Sequence, residues 1–250
     1  VQSEDLPSIY DVPINMLNQG LDEAILRKCG EQIGDKPALG PWREFLDRQR
    51  KATKEVHIGL VGKYDLQDAY KSIREGLLQA GVYNDHKTII TFINSEELTE
   101  QNVEEKLKGQ DGVVICPGFG QRGIEGKIIA AHYTRTHDIP TFGICLGMQM
   151  MVIEFARNVL GYKDANSREI DEKTPHNVID IMEEQKNITN MGGTMRLGAY
   201  ECVLRQGSHT FNIYKQEHIQ ERHRHRYEFN NSYEKEFEKN GMMCVGRNPE

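Results

Sequence analysis

The sequence lacks the features that mark membrane, secreted or nucleic-acid-binding proteins. Its 250 residues contain no run of about 18 or more apolar residues, and residues 1–5 lack the basic and then apolar pattern of a signal peptide. Positive charge is scarce, because 31 Lys and Arg are outnumbered by 38 Asp and Glu, which gives a net charge of −7. We therefore expect a cytoplasmic protein that takes neither a membrane nor a nucleic acid as its partner.

Cysteine is also sparse, and the five cysteines do not form pairs in the sequence. Their odd number, their wide spacing and the absence of a Cys-x-x-Cys motif argue against a disulfide framework and against a structural zinc site. Free thiols and no bound metal are therefore predicted, and one of the thiols is a candidate nucleophile. The five residues are Cys29, Cys116, Cys145, Cys202 and Cys244.

From residue 56 onward, short β-branched runs alternate with longer helical patterns. This alternation predicts an α/β fold with a mostly parallel central sheet flanked by helices. Residues 1–54 differ, because a short helical stretch is followed by Gly and Pro residues and then by a charged run, and we interpret them as a tail and linker before a domain at 55–250. The predicted strands are 56–61, 88–93, 112–116, 141–145, 178–182, 199–204 and 243–246, and the predicted helices are 16–29, 69–81, 102–108, 126–136, 146–160 and 233–239.

The most informative local pattern is a predicted strand that runs through Gly143-Ile144-Cys145-Leu146-Gly147 into a helix. Glycines two residues either side of a nucleophile let strand and helix pack closely around a sharp turn, the arrangement called a nucleophile elbow. The helix N-terminus would favour a thiolate at Cys145 and would offer backbone N–H groups to an oxyanion. A small buried hydrophobe is the alternative interpretation of Cys145, and the pentapeptide alone does not decide between them.

Two further segments offer groups for holding a substrate. The glycine-rich residues 116–123 follow a predicted strand, so they form either an oxyanion loop at the same sheet edge as Cys145 or a plain surface turn. Arg and His alternate at 221–228, where three interpretations compete: a nucleic-acid patch, a metal site and a bidentate arginine for a substrate carboxylate. Flanking acids disfavour the first, and the second lacks a third ligand. Glu169 is an acid available for a substrate ammonium group.

Five motifs, in order, resemble the amidotransferase domain of the CTP synthase family, a class I glutamine amidotransferase domain. The Gly-x-Cys-x-Gly element fits any class I amidotransferase, whereas the fourth and fifth motifs single out this member. The motifs are Pro-Gly-Phe-Gly-x-Arg-Gly-x-Glu-Gly at 117–126, Gly-Ile-Cys-Leu-Gly-Met-Gln at 143–149, Asp-Ala-Asn-Ser-x-Glu at 164–169, Met-Gly-Gly-Thr-Met-Arg-Leu-Gly at 191–198 and Glu-Arg-His-Arg-His-Arg-Tyr-Glu at 221–228.

The resemblance implies a function for these motifs. Cys145 would attack the side-chain amide of L-glutamine, release ammonia and leave a γ-glutamyl thioester that water hydrolyses. The backbone N–H groups of Gly118 and Leu146 would form the oxyanion hole, and no metal would take part. The implied glutamine-binding residues are Gly118, Phe119, Leu146, Gly147, Met148, Gln149, Glu169 and Arg226.

The resemblance also implies a larger protein. Residues 8–13 and 19–22 resemble the end of the family's synthase domain, so residues 1–54 would be the end of that domain and a linker. The family uses ATP and magnesium in the synthase domain to aminate UTP to CTP, is activated by GTP and assembles as a homotetramer. This sequence contains no Gly-x-x-x-x-Gly-Lys-Ser/Thr phosphate loop, so we expect no cofactor in the chain itself.

The sequence departs from the family pattern at two places. Where the family has Pro-Gly-Gly-Phe-Gly, this chain has Cys-Pro-Gly-Phe-Gly at 116–120, and the proline removes one backbone donor. The family's His-Pro-Glu, which supplies the base and its orienting acid, does not occur, and residues 248–250 lie too early to be its counterpart. Two hypotheses follow: a glutaminase shown without its C-terminal strands, and a catalytically silent regulatory or assembly module that keeps the glutamine pocket.

Overall fold

The computed structural model describes residues 1–35, 37–66, 68–182 and 196–249, so residues 191–195 of the fourth motif lie outside the described ranges. The helices are α1 (Val12–Asn18), α2 (Leu21–Cys29), α3 (Gly40–Lys51), α4 (Lys71–Tyr83), α5 (Val103–Leu107), α6 (Ile124–Thr136), α7 (Leu146–Asn158), α8 (His209–Tyr214) and α9 (Glu234–Lys239). The strands are β1 (Lys54–Gly62), β2 (His86–Asn94), β3 (Gly112–Ile115), β4 (Thr141–Gly143), β5 (Asn166–Ser167), β6 (Asn177–Ile181), β7 (Arg196–Leu204), β8 (His218–His225), β9 (Tyr227–Phe229) and β10 (Gly246–Arg247).

Within the described ranges, the strands form three sheets. The first has the order β2-β1-β3-β4, and β3 pairs in parallel with both β1 and β4. The second, β10-β7-β8, is antiparallel, and the third, β5-β6-β9, contains one parallel and one antiparallel pair. The predicted parallel sheet is confirmed. Residues 222–225 of the alternating Arg and His run form the end of β8, which pairs along the length of β7.

The chain divides into two compact units, of which the first comprises Val1–Val56 and Lys71–Ile89. Its described helices meet around a cluster of aromatic side chains. The ring of Tyr10 lies 5.8 Å from that of Trp42 and 5.2 Å from that of Phe45, centroid to centroid. Trp42 Nε1 donates a hydrogen bond to the Tyr10 carbonyl at 2.9 Å, which satisfies the polar group of this partly buried indole.

Helix α3 is the main local difference from the sequence prediction, which interpreted residues 43–54 as part of a linker. Pro41 suits the first turn of a helix, where its missing N–H has no intrahelical partner. Trp42, Phe45 and Leu46 recur at helical spacing, and Leu46 is buried. No helix was predicted here because the many charged residues of this run obscured a narrow apolar stripe, and its interpretation as a linker stays a prediction. The predicted domain boundary at residue 54 stays a prediction.

The second unit comprises His57–Tyr70 and Ile90–Glu250 and contains every residue of the candidate site. Its strand β3 is buried at all four residues, as expected for a parallel strand that is covered on both faces. One cluster packs α7 against residues of α6, β6 and α9, and another packs β1 and β3 against α5 and α6. Side chains with essentially no exposure include Val61, Ile115, Met150, Ile153 and Ile179.

A buried carboxylate ties α6 to α7 within this unit. Glu154 of α7 is 1% exposed, and Arg135 of α6 donates to both of its oxygens, from Nε at 2.9 Å and from Nη2 at 2.8 Å. His132 Nδ1 lies 2.9 Å from the same carboxylate. Burial by itself would raise the pKa of Glu154, but the hydrogen bonds from Arg135 and His132 hold the pKa below its ordinary value.

The hydrogen bonds of Glu154 predict that the stability of the fold depends on pH. Because the pKa of Glu154 is lower in the folded chain than its ordinary 4.5, the stabilisation is present above that value and is lost as the pH falls below it. We expect the free energy of unfolding, measured by urea titration, to fall on acidification less steeply in Glu154→Gln than in the wild type. The matched control is Glu125→Gln, whose side chain is 69% exposed; equal slopes in all three proteins would contradict the prediction.

Candidate active site

Cys145 lies between β4 and α7 in a backbone conformation that is unusual for an L-residue. Its φ is 53° and its ψ is −111°, and it precedes the first residue of α7 as the N-cap. Such a conformation costs about 1–3 kcal/mol and persists only where the surrounding structure imposes it. The Cys145 carbonyl accepts a hydrogen bond from Gln149 N at 3.1 Å, so the helix begins directly at this residue. The predicted strand 141–145 ends earlier, at Gly143.

The two glycines that flank Cys145 are required by close packing. A Cβ on Gly147 would lie 1.9 Å from the Ile115 carbonyl oxygen, which is backbone of β3. A Cβ on Gly143 would lie 2.6 Å from Met148 N and 2.6 Å from Met151 Sδ. Only glycine therefore lets the strand, the turn and the helix approach this closely, which confirms the role predicted for both residues.

The Cys145 thiol is partly buried and lies beside the end of β8. Its Sγ is 4.0 Å from the Arg224 carbonyl oxygen, to which the thiol donates. Burial raises the pKa of Cys145 and the charge of Glu169 raises it further, whereas the backbone N–H of Leu146 and the ammonium of Lys127 lower it. The N–H group at the helix N-terminus therefore lowers the pKa in the expected direction, but desolvation outweighs it and the net direction is upward.

The glycine-rich loop after β3 lies next to the start of α7. A Cβ on Gly118 would be 3.6 Å from Leu146 Cδ2, so the two candidate oxyanion residues are neighbours. The exposed ring of Phe119 lies 5.7 Å from the guanidinium carbon of Arg224, within cation–π distance. The loop and the end of β8 therefore meet beside Cys145. Of the two interpretations of 116–123, an oxyanion loop agrees with this position better than a plain surface turn.

The residues expected to hold an amino acid lie on three segments around Cys145. Glu169 lies in the turn after β5, where its N–H donates to Ser167 Oγ at 3.1 Å. Gln149 is buried on α7 and donates from Nε2 to the Tyr227 carbonyl at 3.1 Å. Burial raises the pKa of Tyr227, Glu169 raises it further and Arg226 lowers it. The opposing charges of Glu169 and Arg226 thus act on the same side chain.

Arg226 occupies the bend between β8 and β9, two residues after the carbonyl that meets the thiol. Its own carbonyl accepts a hydrogen bond from Met182 N at 3.0 Å, which anchors the bend to the end of β6. The structure therefore places Cys145, the Gly118 loop, Glu169 and the Arg226 bend in one region. Their roles in binding glutamine stay predictions.

Met148 is placed differently from the other expected binding residues. Its side chain is 39% exposed and lines a cavity of about 630 Å³. Met148, Met151 and Val152 of α7 line this cavity, and Cys145 is not among its lining residues. Other lining residues include Met182, Phe237, Met242 and Met243. The contribution of Met148 to a glutamine site would therefore come from its backbone.

Two buried lysines beside the loop were missed by the sequence analysis. Lys63, directly after β1, is 4% exposed, and Lys127 of α6 has no exposed surface. Lys127 lies on the same face of α6 as Ile124, Ile128 and Ala131. A single lysine within an apolar stripe is the sequence pattern that could have indicated its burial. Lys63 follows a parallel strand at the carboxyl edge of the sheet, the edge where ligands bind in such folds.

The remaining features concern metals, thiols and membranes. Over residues 1–35, 37–66, 68–182 and 196–249, no group of three or more His, Cys, Asp or Glu side chains could hold a metal ion. All five cysteines are free thiols. The helices in the described part of the chain are too short or too polar to cross a bilayer.

Comparisons with known proteins agree with this geometry. The family described as "Glutamine amidotransferase class-I" matches residues 65–249. A CTP synthase of Bacteroides thetaiotaomicron is 69% identical over 252 residues, covering 100% of this chain and 47% of that protein. A CTP synthase of Porphyromonas gingivalis is 57% identical over 251 residues with the same coverage. The chain thus spans about half the length of the curated relatives it matches.

A solved structure extends the similarity to three dimensions. The chain resembles "Trypanosoma brucei CTPS - glutaminase domain with bound acivicin" with a TM-score of 0.71 and 38% identity, over 76% of this chain and 74% of that one. The fold, the strand–Cys–helix turn and the ordered motifs therefore lead to one assignment. The chain belongs to the class I glutamine amidotransferase family, in the group formed by the glutaminase domains of CTP synthases.

Proposed function

We propose that the chain is the glutamine-hydrolysing part of a CTP synthase and that Cys145 is its nucleophile. The observation that carries the proposal is the backbone of Cys145, held at φ 53° at the start of α7 beside the Gly118 loop. This arrangement supports acyl transfer from an amide, because a thiol and the N–H groups of Gly118 and Leu146 belong to neighbouring segments.

The proposed reaction has two halves. The Cys145 sulfur attacks the side-chain carbonyl carbon of L-glutamine, and the oxyanion that forms is held by the two N–H groups. Collapse breaks the C–N bond, the nitrogen takes a proton and leaves as ammonia, and a γ-glutamyl thioester remains. Water then attacks the thioester, which releases L-glutamate and regenerates the thiol. Because burial raises the pKa of Cys145, the thiol needs a base to accept its proton.

The amino-acid end of glutamine is assigned to charged groups around the thiol. Arg226 would pair with the α-carboxylate and Glu169 with the ammonium group, and Gln149 would line the same pocket. Phe119 would lie along the pocket, and Arg224 would hold its ring through the cation–π contact.

The proposal includes the rest of the protein. Relatives named CTP synthase are about twice as long as this chain, so a synthase domain that uses ATP and magnesium to convert UTP to CTP would receive the ammonia. Activation by GTP and assembly as a homotetramer are carried over from the family resemblance. A cytoplasmic location is supported by the five free thiols.

The test of this function is labelling by acivicin, the electrophilic amino acid named for the trypanosomal structure. We expect one covalent adduct, at Cys145, that L-glutamine slows and D-glutamine does not, as measured by mass spectrometry of peptides. Labelling that L-glutamine does not slow would contradict the glutamine pocket. Ammonia release by the full-length protein then separates a glutaminase from a silent module, which would be labelled without turnover.

Arg226→Ala is expected to weaken glutamine binding about 10- to 100-fold, the loss expected for one hydrogen-bonded charge pair. The measurement is the L-glutamine concentration that halves the rate of acivicin labelling. Alkylation of Cys145 by neutral iodoacetamide should keep its wild-type rate, because it needs no carboxylate contact. Arg222→Ala, on the exposed part of β8, is the matched control; an equal effect of both variants would remove the specific role of Arg226.

A further inference from the structure

Two lysine ammonium groups hold the backbone carbonyls on both sides of Gly118. Lys127 Nζ donates to the Cys116 carbonyl at 2.6 Å. Lys63 Nζ donates to the Phe119 carbonyl and, at 3.4 Å, to the Gly120 carbonyl. Both lysines have little exposed surface. The Lys127 hydrogen bond is buried, so it is stronger than in bulk water and its loss more costly, whereas the Lys63 hydrogen bonds are partly buried.

The peptide group between Pro117 and Gly118 is fixed in the same way. The Pro117 carbonyl lies 3.5 Å from the Tyr70 hydroxyl, which donates to it. The peptide is trans, so the Gly118 N–H points away from that carbonyl. Because Pro117 has no N–H, the Gly118 N–H is the first donor that the loop can offer after Cys116. Its direction therefore depends on how the carbonyls around it are held.

From these contacts we propose that Lys63 and Lys127 are positioning residues for the oxyanion loop: by drawing the carbonyls of Cys116, Phe119 and Gly120 inward, they aim the Gly118 N–H at the developing oxyanion. The inference rests on the proposed glutaminase function and adds a role for two side chains that the reaction itself does not touch. Removing Lys127 takes its ammonium donor from the buried Cys116 carbonyl, and removing Lys63 takes it from the Phe119 and Gly120 carbonyls, so the loop loses the contacts that fix its direction.

Electrostatics supports the same arrangement. Burial lowers the pKa of Lys127 to about 8, and the nearby Lys63 lowers it too, whereas Cys116 and Cys145 raise it. Burial also lowers the pKa of Lys63, as does Arg122, while Glu169 and Glu96 raise it. Two positive charges beside the loop favour negative charge on an oxyanion, in addition to orienting the backbone.

The experiment compares a reaction of Cys145 that passes through an oxyanion with one that does not. With L-glutamic acid γ-(4-nitroanilide), the sulfur forms a bond to the γ-carbonyl carbon, the C–N bond breaks, and 4-nitroaniline leaves with a proton. With iodoacetamide, the sulfur displaces iodide from a saturated carbon and no oxyanion forms. Acylation is followed by release of 4-nitroaniline, and alkylation by intact mass.

We expect Lys63→Met and Lys127→Met to slow acylation about tenfold or more, since loss of a whole oxyanion donor costs about 100- to 1,000-fold. Iodoacetamide alkylation should change by less than about threefold, because no oxyanion forms in that reaction. Lys106→Met, which removes an exposed lysine on α5, is the matched control and should change neither rate. Thermal unfolding of each variant identifies any that do not fold.

Gly118→Ala gives an independent check that does not remove either lysine. Its Cβ would lie 2.9 Å from Lys63 Cε and would push the side chain off the carbonyls. We expect the same loss of acylation, and no further loss when Gly118→Ala is combined with Lys63→Met. Lysine variants that acylate at the wild-type rate, or that lose both reactions equally while folded, overturn the inference. A wild-type chain that is not acylated at Cys145 overturns the proposed function instead.

Discussion

Replacement of Cys145 by alanine is expected to abolish acivicin labelling of the chain and ammonia release by the full-length protein. The substitution removes the attacking sulfur and leaves the two flanking glycines and the start of α7 in place. Residual turnover should fall to the background of the uncatalysed reaction, because the thioester cannot form. Intact mass spectrometry measures the labelling, and a coupled assay for ammonia measures the turnover.

The controls for this result are the other partly buried thiols of the second unit. Cys202 of β7 and Cys244, just before β10, resemble Cys145 in that burial raises the pKa of each thiol. Neither occupies the N-cap of a helix with a positive φ. Alanine at either position should leave acivicin labelling unchanged. If Cys145→Ala were still labelled at full stoichiometry, the nucleophile would be a different residue.

Gly147→Ala is expected to destabilise the second unit by about 3 kcal/mol or more, the upper range for overpacking a core. The new methyl group would lie 1.9 Å from the Ile115 carbonyl oxygen, and backbone on both sides prevents an easy shift. For a chain of this size the expected decrease in melting temperature is roughly 6–12 °C. Circular dichroism on heating measures it, and acivicin labelling should be lost together with the folded elbow.

The same substitution at Gly76 should have the opposite sign. Gly76 lies within α4, its φ is not positive and a Cβ there meets nothing within 4 Å. Alanine should therefore stabilise the helix by about 0.5–1 kcal/mol, because glycine loses more backbone freedom on folding. If Gly147→Ala melted at the wild-type temperature, the close approach of α7 to β3 would not be what requires glycine at position 147.

The elbow could be predicted from the sequence because steric rules act over a few residues. The spacing of Gly143 and Gly147 around Cys145 is enough to predict a tight turn between strand and helix, and the structure contains that turn. The parallel strands were also recognisable, since β-branched runs separated by helical patterns have few other solutions. The prediction that Glu169 and Arg226, which are far apart in the sequence, belong to the same site came only from the family resemblance.

Other features depend on distances that a sequence does not contain. The buried positions of Lys63 and Lys127 follow from how β1 and α6 pack around the loop, and lysine by itself predicts exposure. The upward shift in the pKa of Cys145 is a balance between desolvation and one N–H group, and only a folded environment sets that balance. Helix α3 was missed because charge density outweighed an apolar stripe of three residues.

The backbone conformation of Cys145 bears on whether this protein has kept its chemistry. At φ 53° a residue with a side chain strains the backbone, whereas glycine does not. Cys145→Gly should therefore raise the melting temperature of the fold and abolish the reactivity of this position. A catalytically silent protein could replace Cys145 by glycine without losing any function. The presence of cysteine at a position where stability alone favours glycine therefore argues against the silent module.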